Sequence, residues 1–87
     1  MNIQHTKVIE GVVAEFNGAY WGVQDEDNGG PGPWKAWGFG PFEKAKVSDP
    51  RYCHKPEDMT YPSNDLDRAQ LKKARLVPVR ITTTWEV

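Results

Sequence analysis

Asn17-Gly18 lies between two apolar, β-prone runs, Val12 to Phe16 and Ala19 to Val23, and constrains this chain more than any other feature. Both residues tolerate the positive φ angles of a type I′ turn, the two-residue connection whose twist suits adjoining antiparallel strands. The pair therefore predicts a hairpin from Lys7 to Glu26. With Asn17-Gly18 at its tip, Phe16 faces Ala19, Ala14 faces Trp21 and Val12 faces Val23, and all six side chains share one apolar face. The opposite face, Glu15 with Tyr20, Val13 with Gly22, Gly11 with Gln24 and Ile9 with Glu26, is mixed and mostly polar.

Further along, the period-2 signal returns twice. Trp34 to Gly40 sets Trp37 and Phe39 against the small Ala36 and Gly38, as a short third strand would. The last segment alternates Val77, Val79, Ile81, Thr83, Trp85 and Val87 with Leu76, Pro78, Arg80, Thr82, Thr84 and Glu86. Pro78 lacks a ladder donor, which places this final strand at a sheet edge. An edge in so small a domain invites pairing with another copy, so a homo-oligomer is expected.

Between these strands the breakers dominate. Asp25 to Pro33 reads DEDNGGPGP, a loop by composition, and its acidic start lacks the spacing of a calcium site. Three prolines between Ser48 and Pro62 leave room for a single turn at most. Ser63 and Asn64 offer N-cap oxygens to a short helix from Asp65 to Ala74, with Asp65 and Asp67 at its start and Lys72 and Lys73 at its end, the charge order a helix dipole favours. Its apolar stripe, built on Leu66 and Ala69, is weak. The expected fold is α+β: a single domain over residues 1–87, with a small antiparallel sheet of N-terminal hairpin, short third strand and long final strand, plus one short helix.

Composition bounds the function. At 87 residues with four Trp, three Tyr and three Phe, a few large rings must fill the core, line a site, or both; Trp21 and Trp85 are the expected core pair. Eleven basic against twelve acidic side chains remove the electrostatic footprint of bulk nucleic-acid binding. Eight of the eleven basic groups lie in residues 45–87, so an anion site is expected there. One cysteine, no membrane-length apolar run and no export-type start suggest a reducing cytoplasm. Cys53-His54 is the one pairing suggestive of a nucleophile, but neighbours on an extended chain point apart, and neither metal-ligand spacing nor a nucleotide-type glycine motif is present. The expectation is binding, with no catalytic residue, metal or cofactor.

Arginine grips phosphate bidentately, rings stack on bases, and hydroxyls or amides serve a ribose. Arg51, Arg68, Arg75 and Arg80 supply the first chemistry, and Trp34, Trp37, Phe39, Tyr52 and Tyr61 the second. Arg80 stands out, because simple alternation sets it beside Thr82 and Thr84 as one polar groove.

The stretch GFGPFEKAKVSDPRYCHKPEDMTYPSN, with KARLVPVRITTTWEV after it, resembles small proteins encoded by phages and prophages, and more faintly the anti-Thoeris sponge proteins of phages that sequester cyclic ADP-ribose signals. The resemblance covers roughly residues 38–87. It implies a compact β-rich fold, self-association and non-enzymatic capture of a cyclic nucleotide in the host cytoplasm. Chosen on chemistry, the residues available for such a ligand are Phe39, Arg51, Tyr61, Asn64, Arg75, Arg80 and Thr82. The competing expectation is an inhibitor that docks on a host protein or defence complex through exposed rings and the acidic loop.

Overall fold

A computed structural model describes residues 3–27 and 34–86. Four strands, β1 (Gln4–Phe16), β2 (Ala19–Asp27), β3 (Trp34–Gly40) and β4 (Arg75–Glu86), form one antiparallel sheet in the order β3-β2-β1-β4, and a short helix, α1 (Asp65–Leu71), lies between β3 and β4 in sequence. The class is the expected α+β. Asn17 and Gly18 adopt φ of 50° and 81°, so the turn at the hairpin tip is the one their chemistry requires.

The hairpin itself does not run as its pattern suggests. Only Phe16–Ala19 and Glu15–Tyr20 pair across it; beyond them β1 and β2 diverge. The segment 45–48 enters the opening. Val12 N–H and C=O both bond to Ser48, at 2.9 Å each, while Lys46 N–H donates to the Trp21 carbonyl at 2.8 Å and Gly22 bridges Ala45. Two glycines make the space: a Cβ on Gly22 would overlap the Lys44 carbonyl, and one on Gly11 would press on Val47 and Ser48. The expected pairs Ala14–Trp21, Val12–Val23, Val13–Gly22, Gly11–Gln24 and Ile9–Glu26 thus do not form: the wedge stands between β1 and β2, and β4 lines the opposite edge of β1. Periodicity sets which face a side chain takes but not which strand lies beside it.

The face assignment survives the change of partners. Val12, Ala14 and Trp21 bury together with Cys53, Met59 and Leu71, and Phe39, Ala74 and Leu76 pack against that cluster. Leu71 closes the core from α1, whereas Leu66, expected on the apolar stripe, is 81% exposed. α1 is also shorter than the predicted span to Ala74. Asn64 caps it, its side chain accepting from Asp67 N–H at 3.2 Å. The backbone of Asp25–Asp27, expected to be loop, continues β2 opposite Trp34–Ala36, after an irregularity between Val23 and Asp25; the remainder of that predicted loop, residues 28–33, lies outside the described residues.

β1 and β4 pair over twelve positions, from Gln4–Glu86 to Glu15–Arg75, with no break in register. Their shared length carries them past the body. Every residue from Ile3 to Glu10 is exposed, so Gln4–Glu10 and Arg80–Glu86 form a two-stranded arm of about 24 Å at about 3.4 Å per residue. The radius of gyration is 15.5 Å, against about 12 Å for a compact chain of this size. Trp85, expected in the core, lies on this arm, 44% exposed and stacked on His5 at 5.4 Å. Because Val12 gives both backbone groups to Ser48, Val12–Pro78 is a non-hydrogen-bonded pair of the β1–β4 ladder, and the Pro78 backbone faces the open edge. The edge position predicted from Pro78 is the one observed.

Candidate binding surfaces

A cavity of about 400 Å³ opens between β3, the wedge and the start of α1, bordered by Trp37, Lys46, Asp58, Thr60, Tyr61 and Asn64. The β2–β3 register places Trp37 beside Val23, on the core face, where its ring stacks on Trp21 at 6.3 Å with 37% of its surface left open. Lys46, fixed by its backbone bond to β2, holds its ammonium 5.3 Å over the Trp37 ring and donates to the Met59 carbonyl at 3.2 Å. Asp58 ties down the loop beneath: one carboxylate oxygen accepts from His54 N–H at 2.8 Å and Lys55 N–H at 3.2 Å. Those bonds, the His54 one foremost, hold its carboxyl below the usual range. Asp67 also borders the cavity and accepts from the Asn64 amide at 2.9 Å. Two carboxylates and one ammonium thus surround the ring, and a phosphate entering here meets an excess of negative charge.

The seven residues chosen for a nucleotide are not gathered in one place. Tyr61 and Asn64 border this cavity. Phe39 packs edge-on against Trp21 at 5.2 Å, half-buried against the core. Arg51 grips Asp49 with Nε at 3.1 Å and Nη2 at 2.6 Å; the hydrogen bond and charge raise the guanidinium pKa and lower that of the carboxylate. Arg75 binds Glu15, which also accepts from Gly18 N–H, and its own pKa is raised in the same way. Arg80 and Thr82 lie on the arm, where the Arg80 side chain is 70% exposed, 3.5 Å from Glu10. The groove expected around Arg80 is an open strand surface, and Arg80 does not border the cavity at Trp37. Lys46 and Asp58 had no signal in the sequence, since wedge and loop carry no period that aims a side chain.

Cys53 is buried, with its thiol 3.5 Å from the Lys55 carbonyl; desolvation, then the nearby Asp58 charge, pushes the thiol pKa up. That keeps sulfur protonated, the opposite of what a nucleophile needs. Among the described residues no three His, Cys, Asp or Glu groups gather to hold a metal ion, and no helix is long and apolar enough to cross a membrane.

No family model, curated protein or solved structure matches the chain. Its surfaces are therefore read on their own chemistry. On the arm Ile3, Val8, Ile9 and Trp85 are each at least 40% exposed, and on the side of the loop and α1 Tyr52, Tyr61 and Leu66 are exposed by 76%, 81% and 81%. Where such groups adjoin in one patch, they mark protein–protein contacts.

Proposed function

We propose that this chain is a non-enzymatic binding protein that acts by docking on another protein. One observation carries the reading: Arg51, Arg75 and Arg80, which would hold an anion, are separated and each lies against a carboxylate, while Tyr52, Tyr61 and Leu66 stand free of the core. Aromatic anchors flanked by polar groups are the side chains that dominate interface energies. The resemblance to phage-encoded proteins makes a bacterial host protein the natural partner class. The test is retention of a bacterial protein by the immobilised chain, reconstituted with that protein in purified form. Replacing Tyr61 and Leu66 together by Ser should weaken the reconstituted complex at least about tenfold, about 1.4 kcal/mol. Equal affinity of the variant removes this surface from the proposal.

Nucleotide sequestration is the second reading: the cavity between Trp37, Tyr61 and Asn64 has the volume of a small-ligand site, about 400 Å³, and a ring to stack on, while Asp58 and Asp67 oppose the phosphates. Cyclic ADP-ribose at a hundredfold excess over Kd should then stabilise the fold by about 2.7 kcal/mol and be recovered unaltered. A melting temperature that does not move with this ligand excludes it.

A further inference from the structure

We propose that two copies of this chain pair antiparallel through the open edge of β4, with Thr83 on the two-fold axis. The backbone decides which atoms are on offer. Since Val12–Pro78 is a non-hydrogen-bonded pair and the ladder is unbroken, Val79, Ile81, Thr83 and Trp85 bond inward to β1, while Arg80, Thr82, Thr84 and Glu86 direct N–H and C=O outward. Antiparallel pairing of two such edges brings even-numbered residues opposite even-numbered ones. Three registers are the natural choices, centred on Thr82, Thr83 or Thr84.

Centring on Thr82 puts Pro78 opposite Glu86, where the proline ring supplies no donor and crowds the partner strand. Centring on Thr84 carries Arg80 past the Glu86 of the other copy. Centring on Thr83 pairs Arg80 with Glu86 and Thr82 with Thr84, twice each by symmetry, and sets Ile81 beside Trp85 on the other face. Arg80 already neighbours Glu10 across β1, so each guanidinium would stand between two carboxylates. In this register Pro78 marks where the edge ends toward the body.

The rival edge of the arm is less suited. β1 turns Gln4, Thr6, Val8 and Glu10 outward, and centring two such edges on Lys7 sets like charges face to face; no register there pairs opposite charges among these residues. Pairing through β4 also changes the arm from two strands to a continuous β1-β4-β4-β1 sheet, and a two-stranded ribbon alone is marginal in water.

Backbone amide exchange of the unmodified protein, followed by NMR over a range of concentrations beside sedimentation, tests the proposal without a variant. In dilute solution the Ile81 and Thr83 amides should be protected and those of Arg80, Thr82 and Thr84 should exchange freely; where sedimentation reports a dimer, these three should slow at least about tenfold. A chain monomeric up to about 1 mM, or concentration-dependent protection at Thr6, Val8 and Glu10 instead, overturns it. The register is tested by Thr83→Cys. Facing its own copy with Cα atoms about 4.5 Å apart, it should form a disulfide-linked dimer far faster than Thr82→Cys; equal rates refute this register. Arg80→Glu should weaken dimerisation about tenfold and Arg80→Glu with Glu86→Arg should recover most of the loss; no difference between the two removes the charge pairing.

Discussion

The two ends of β1 follow similar alternation to opposite outcomes. From Gly11 to Ala14 every residue is buried, between β4 on one side and the wedge on the other, with Val12 and Ala14 in the cluster that holds Leu71 and Met59. From Gln4 to Glu10 the same strand, with the same partner β4, has every residue exposed. Strand pairing is therefore not what stabilises this molecule; the layer laid over the strands is. Hydrogen bonds exchanged for water give little net free energy, whereas apolar area removed from water gives about 25 cal/mol per Å².

That contrast is sharpest when residues of one type are compared. Leu71→Ala should cost about 2–5 kcal/mol in chemical denaturation, because the side chain is wholly buried, while Leu66→Ala on the same helix should stay within about 0.5 kcal/mol. Next comes the wedge: Gly22→Ala forces a methyl group against the Lys44 carbonyl and should cost about 1–3 kcal/mol, with loss of amide protection at Lys46 and Ser48. A smaller effect tracks pH beside the hairpin tip. Glu15 has its pKa depressed, first by the Gly18 N–H and then by Arg75, so its contribution is fully present above its ordinary pKa of 4.5 and is lost as pH falls through the lower folded value. Glu15→Gln should flatten that part of the acid limb of a stability-versus-pH curve, leaving the share due to Asp49 and Asp58, both depressed likewise. Smallest is Ile9→Thr on the arm, expected within about 0.5 kcal/mol of the parent in global stability. A cost there as large as that of Leu71→Ala would erase the distinction between body and arm.

Much of the fold was legible because it rests on local chemistry. Asn17-Gly18 dictated its turn, alternation gave the faces of β1, β3 and β4, Pro78 gave the edge, and Asn64 gave the cap. What was hidden depends on contacts distant in sequence. Nothing in Ala45 to Ser48 announces a segment that separates two strands, although Gly11 and Gly22, on the face that alternation leaves without bulk, were the signal that something passes close. Trp85 looked like core because it alternates with valines, yet the layer built from α1 and the loops covers the opposite face of β4, the one that carries Leu76. The chosen site residues failed to converge for a related reason: guanidinium groups were selected for what they bind, and all three found carboxylates of their own chain.

The opened hairpin bears on how fast the chain reaches this structure. A hairpin zipped along its length would be made of contacts between near neighbours, but here only two rungs adjoin the turn, and β1 must await strands and segments made much later, as with Glu15 and Arg75, sixty positions apart. Loop closure over such spans precedes any reward, so folding belongs with slow, non-local β topologies in the millisecond-to-second range.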